Sequence, residues 1–458
     1  MGKEKSGVSP LMREVSGYIA DGIKRPLPKE VVERAKLHLV DTLAAMISGS
    51  TLLPGRRVIS YVKSLGGNKD ACVVGTRILT SATNAAFANG LFGHADETDD
   101  THPPSMTHPG TSVIAAAMAI AERKRHGGVA FMRAMVIGYE ICGRLMMSLH
   151  PWNFSLAGHH AGSFGQLFGA SAAAGALCGL NKDQVRHMLA YTGQQAAGLS
   201  NVFRDPEHNE KAFNMGGMPA QNGVAAALMV EHGFTGVADT FSGERNFFHT
   251  FCKGGDPEEL GRELGKSFEL VKNCSIKKWP VGAPILGPLD AVENLLREHK
   301  IAADDIEKVV VRIGEKEKMI IDNRDMPDIS LQHLVAVMLL DGTVTFKSSH
   351  DFKRMRDPKV LKLRERIELI GAPELTDANR RWLGEVTVQM RDGRQLKHHT
   401  HAARGSAFNP MTRDEEDRKC LDLLMPVLGK QRSLKLIDAL WNIDKVKDMR
   451  DLRKLCMA

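Results

Sequence analysis

The stretch His94-Ala95-Asp96-Glu97-Thr98-Asp99-Asp100-Thr101-His102-Pro103-Pro104-Ser105-Met106-Thr107-His108-Pro109-Gly110 holds three histidines, four acids and three prolines in seventeen residues. Before it, residues 82–92 read as a helix with Ser81 as N-cap; after it, residues 111–123 read as a helix of small apolar residues. A polar knot between two apolar helices is costly to bury unless its groups pair with one another. The stretch is therefore either a dense hydrogen-bond network or a site that handles protons and carboxylates. His94, Asp96, Asp99, Asp100, His102 and His108 are all metal-ligand types, but their spacing matches no standard metal site, so no metal is expected.

Outward from this knot, the first 268 residues read as helices joined by short loops. Pro28 opens a helix in which Val32, Ala35, Leu39 and Leu43 recur on one face. Residues 129–147 pair Glu140 with Arg144 at i, i+4, and residues 165–179 are almost all small, as in helices that approach closely. The pattern changes near Phe268. Val309-Val310-Val311-Arg312-Ile313 reads as a strand, and residues 385–390 and 394–397, around Asp392-Gly393, read as a hairpin. Helical stretches lie between, at 285–298, 331–340 and 358–367. Past Arg404-Gly405 the chain returns to helix, with Thr412 and Glu415 spaced as a capping box. The expectation is a mainly α protein: a large helical domain (1–268), a smaller α+β domain (269–404), and C-terminal helices (405–458) that rejoin the first.

Bulk numbers narrow the function classes. With 458 residues, 43% hydrophobic and 25% charged, the chain has the balance of a soluble globular protein of more than one domain. The net charge of +7 is spread out, with no aromatic-interleaved basic stripe, which argues against nucleic acid. The longest apolar run is too short for a membrane span. Seven widely spaced cysteines without a C-x-x-C, and a charged N-terminus without an apolar signal core, lead us to expect a reducing, cytoplasmic setting. No flavin, nicotinamide or phosphate loop is present, so no cofactor is expected.

The central stretch resembles the signature of the MmgE/PrpD family, through Asn89-Gly90, His94, Glu97, Asp99-Asp100-Thr101 and His108-Pro109-Gly110. So does the tail, through Arg404-Gly405, Asn409-Pro410-Met411-Thr412 and Glu415. The resemblance covers almost the whole chain. It implies a helical domain interrupted late by an α+β domain that lids the site, and a homodimer. By motif it puts Glu97, Thr101 and His108 at substrate-lining positions, with Glu97 where aspartate is common. Gly158-His159-His160-Ala161-Gly162-Ser163-Phe164-Gly165 supplies His159, with Ala161 and Ser163 in place of the usual threonines. Lys211-Ala212-Phe213-Asn214-Met215-Gly216 supplies Lys211, with Asn214 in place of a common histidine. Ile276-Lys277-Lys278-Trp279-Pro280 supplies Lys277, with Lys278 as the alternative. His333 stands where several members have tyrosine.

The chemistry these residues allow is cofactor-free proton transfer on a small polycarboxylate. Lysines hold carboxylates as point charges, and histidines move protons near neutral pH. What the resemblance implies is a lyase of the 2-methylcitrate dehydratase kind, eliminating water from a hydroxy di- or tricarboxylate. His108, His159, Glu97 and Thr101 would be catalytic; Lys211, Lys277 and His333 would bind substrate. A decarboxylase of the cis-aconitate kind, or an epimerase, is the alternative on the same scaffold. A carboxylate- or metal-binding protein without catalysis is the third.

Overall fold

Small residues set the architecture of the first unit. In the computed structural model, which describes residues 7–377 and 382–458, the chain divides into two units. The first holds the residues up to Ala95, then Asp99–Cys274 and Leu423–Ala458; the second holds Asp96–Thr98 and Ser275–Asp422. The helices that matter for the first unit are α1 (Lys29–Gly49), α2 (Ala82–Gly93), α3 (Pro109–Lys124), α4 (Gly128–Ser148), α5 (Ala161–Cys178) and α6 (Met218–Glu231). Helix α5 is central and packs against α3, α4 and α6. It does so because it has little bulk. A Cβ on Gly169 would come within 2.6 Å of the Gly138 carbonyl oxygen and 2.8 Å of Cys142 Cβ. With few aromatics, the core draws its cohesion from close backbone approach and from buried leucine, isoleucine and methionine. Ser81 caps α2 by accepting from the Asn84 N–H at 3.3 Å, as its position in the sequence suggests. A two-residue ladder that the sequence did not reveal, β1 (Ala71–Cys72) with β2 (Leu79–Thr80), also lies in this unit.

The second unit is built on a four-stranded sheet of order β4-β3-β5-β6. Strand β3 (Ile306–Ile313) pairs parallel with β4 (Ile367–Gly371) and antiparallel with β5 (Gly384–Met390), which forms a hairpin with β6 (Gln395–Thr400). Gly393 turns the hairpin at φ +88°, a conformation that suits glycine. Helices α7 (Leu286–Glu298) and α8 (Leu331–Asp341) share a core with the sheet through Leu289, Val292, Leu334, Val309, Val311 and Val388. Residues 358–367, read as one helix, divide: the helix ends at Arg364, and Ile367 enters β4 opposite Val309.

The unit boundaries lie later than 268/269 and 404/405. The segment Glu269–Lys272 stays with the first unit because the Leu270 N–H donates to Glu140 Oε1 at 3.2 Å. Residues 405–422 stay with the second: the Ile276 N–H donates to the Gly405 carbonyl at 2.8 Å, and the Phe346 N–H to Asp422 Oδ2 at 2.7 Å. The capping box is formed, with Glu415 N–H to Thr412 Oγ1 at 3.3 Å and Thr412 N–H to Glu415 Oε2 at 2.8 Å. Among the described residues no helix is long and apolar enough to cross a membrane.

Candidate active site

The knot between α2 and α3 lies where one helix ends and the next begins. His94 is the C-cap residue of α2 and His108 the N-cap residue of α3. Asp99 joins them. Its Oδ2 is 2.8 Å from His94 Nδ1 and 2.9 Å from His108 Nδ1, the second approach lying off the hydrogen-bond axis. The rings meet edge to face at 4.9 Å. His94 and Asp99 are fully buried, while the His108 side chain is 18% exposed. Burial holds His94 below the usual imidazole range. With Nδ1–H given to Asp99, its Nε2 carries a lone pair that is buried and has no hydrogen-bond partner, the form a base requires.

His102 belongs to a structural network. His102 bonds Ser105 Oγ at 2.7 Å and Glu269 Oε2 at 3.1 Å, and Arg144 reaches Glu140 at 3.1 Å and Glu269 at 3.7 Å. Burial opposes charge on Glu269, but His102, Asn273 and Arg144 outweigh it and bring its carboxyl to about 2. Glu140 is lifted to about 7 by burial, with Arg144 holding it back only in part. Thr101 is buried in the first unit.

The ring of His159 stacks on Phe154 at 4.7 Å and packs edge-on against Phe164 and Phe251. Its neighbour His160 is the N-cap of α5, where Nδ1 accepts the Ser163 N–H at 3.4 Å. Burial, followed by the charges of Lys211, His94 and His108, brings His160 down to about 3. It is a neutral imidazole whose accepting Nδ1 places the proton on Nε2. Spacing to Gly165 favoured His159; the signal for His160 was its place as the last polar residue before a helix of small residues, a cap position. Lys211 lies on a short helix, Asn209–Ala212, and its backbone N–H donates to Asp205 Oδ2 at 3.2 Å. Its charge also disfavours protonation of His94. Asn214 lies in a π-turn, Phe213–Gly217, and its Oδ1 is buried without a hydrogen-bond partner. Such turns recur at functional sites.

In the second unit Lys277 is fully buried. Its Nζ donates to the Glu97 carbonyl oxygen at 2.9 Å and lies 3.4 Å from Glu97 Oε2. Lys278 instead pairs with Glu293 at 2.5 Å and lies 4.1 Å over the Trp279 ring, which separates the two lysines. Asp96 takes the Thr98 N–H at 3.0 Å and sits 3.1 Å from His350 Nε2. Burial opposes charge on His350, yet Asp96, with Asp328 behind it, raises it to about 9. The sequence did not single out His350, since a lone histidine far from Asp96 along the chain carries no spacing signal. His333 is buried with neither ring nitrogen hydrogen-bonded; burial, then Arg364 and Arg354, lower it to about 4.

His94, Asp99 and His108 bring three ligand-type atoms within 4.8 Å of one another. The His94–Asp99 separation is that of a hydrogen bond, so a cation placed there would displace the proton they share. As they stand, these residues form a buried His–Asp–His cluster, and the charge of Lys211 acts on both His94 and the neighbouring His160.

The chain matches the MmgE/PrpD N-terminal domain model over residues 13–260 and the C-terminal domain model over residues 279–443. Cis-aconitate decarboxylase of Homo sapiens is 26% identical over 448 residues, covering 94% of this chain and 91% of that protein. Cis-aconitate decarboxylase of Aspergillus terreus is 24% identical over 488 residues, covering 98% and 96%. With both family models matched along most of its length, the chain belongs to the MmgE/PrpD family.

Proposed function

We propose that this protein is a lyase acting on a small polycarboxylate by proton transfer, without a metal or organic cofactor. The observation that carries the reading is Asp99 Oδ2 lying between two imidazoles, one of them with a free buried Nε2. Elimination of water needs a base to take a C–H proton and an acid to protonate the leaving hydroxyl. Loss of CO2 leaves an electron pair on carbon that an acid must protonate. The histidines supply either pairing. Lys211 takes a substrate carboxylate, and Lys277, with Glu97 as its partner, is assigned a second. Thr101 and His333 are assigned to orienting the substrate. The sequence leads with water elimination, and the two relatives named above, both cis-aconitate decarboxylases, support loss of CO2 as much.

A panel of cis-aconitate, citrate, 2-methylcitrate and smaller dicarboxylates, followed by NMR after treatment with EDTA, tests this. Release of CO2 from cis-aconitate supports decarboxylation, and an alkene from a hydroxy acid supports dehydration. Activity that appears only on adding a divalent ion would sink the cofactor-free reading. The same reading takes the protein as a homodimer; a monomer by light scattering at micromolar concentration would count against that.

A further inference from the structure

Asp100, next to Asp99, has no part in the chemistry above. It is fully buried and receives three donors. The Gly110 N–H reaches Oδ1 at 2.9 Å; Tyr139 OH and His38 Nδ1 reach Oδ2 at 2.6 and 2.7 Å. His38 comes from α1, Tyr139 from α4, and Gly110 from the first turn of α3. The two aromatic rings meet edge to face at 5.7 Å. Burial, then the charge of Asp100, holds the Tyr139 hydroxyl well above its ordinary range, so it stays a donor. Gly110 is pressed into this group: a Cβ there would lie 2.7 Å from Asp100 Oδ1, 2.8 Å from Tyr139 OH, and closer still to Thr42 Oγ1.

The two neighbouring acids thus divide their work. Asp99 holds the imidazoles of His94 and His108, and Asp100 holds the backbone two residues past His108. We propose that Tyr139 and His38 are positioning residues, which act through Asp100 to keep His108 in register with Asp99. Without the tyrosine hydroxyl, Asp100 becomes a buried carboxylate short of one donor, which costs it the geometry or the charge that holds Gly110.

The turnover part of this inference rests on the function proposed above; its spectroscopic part does not. The test compares Tyr139→Phe with wild type and with Met188→Leu, a volume-conserving change at a fully buried site elsewhere in the first unit. Tyr139→Phe is expected to move the His108 ring nitrogen NMR shifts, and to lower kcat on whichever carboxylate wild type turns over by about tenfold or more, with KM nearly unchanged, as for an interaction made in the transition state. Met188→Leu should move neither. If Tyr139→Phe fails to fold, His38→Gln serves for the same readings. Unchanged His108 shifts in a folded variant overturn the proposal. Moved shifts with unchanged kcat leave the support in place but remove its catalytic meaning, which also overturns it. If wild type itself turns over no carboxylate, the proposed function fails, while the shift measurement still decides the positioning claim.

Discussion

Asp99 is the residue on which the account turns, and His160 is the one that separates structure from motif. The histidine pair at 159 and 160 offers a direct contrast. His160→Gln, at the N-cap of α5, should lower turnover more than His159→Phe does. His159→Phe keeps an aromatic ring against Phe154, Phe164 and Phe251 and should change turnover little. The reverse order in steady-state kinetics would restore the motif's choice. Motif spacing points to His159, whereas the N-cap position of α5 belongs to His160 and follows from backbone direction rather than from residue type. Lys277 and Lys278 pose the same difficulty; full burial of the first and the hold of Glu293 on the second are what support Lys277.

At the level of elements, α5 explains why the first unit can be so poor in bulk. Gly169→Val would place side-chain carbons against the Gly138 carbonyl and Cys142, and overpacking of this kind typically costs about 1–3 kcal/mol. Urea unfolding measures it; a variant as stable as wild type would show that α4 and α5 are not tightly apposed. The helices of this unit were legible because each carries a long apolar period, a small-residue body or a cap such as Ser81. The hairpin was legible from its alternation around Asp392-Gly393. Strand β4 was not. Ile367 and Leu369 follow a helix after a short break and show alternation over too few residues to oppose the helical reading. The ladder of β1 and β2 was invisible for the same reason, being two residues long on each side. The unit boundaries were missed because they depend on single long-range bonds, such as Leu270 to Glu140, which leave no local trace.

For the whole molecule, buried ionisable groups set a pH profile of stability. His350, raised from 6.5 to about 9, contributes fully below pH 6.5, and its contribution is lost as pH rises through 9. Asp290, raised from 3.8 to about 7 chiefly by burial, also binds its proton more tightly when folded, so its contribution is lost as pH rises from about 4 through 7. Glu269, lowered from 4.5 to about 2, acts the other way: its contribution is present above pH 4.5 and lost as pH falls toward 2. Asp290→Asn, a mimic of the protonated acid, should therefore gain stability relative to wild type between pH 4 and 7. Chemical denaturation across that range measures the gain, and parallel curves for the two proteins would contradict it. The central claim is proton transfer to or from a polycarboxylate through the Asp99 relay. The most direct measurement is 13C NMR of cis-aconitate turnover in D2O by EDTA-treated wild type and Asp99→Asn. For loss of CO2 the account predicts a product shorter by one carboxyl and carrying solvent deuterium, formed about 10²–10⁴-fold more slowly by Asp99→Asn. Turnover by Asp99→Asn at the wild-type rate would contradict it.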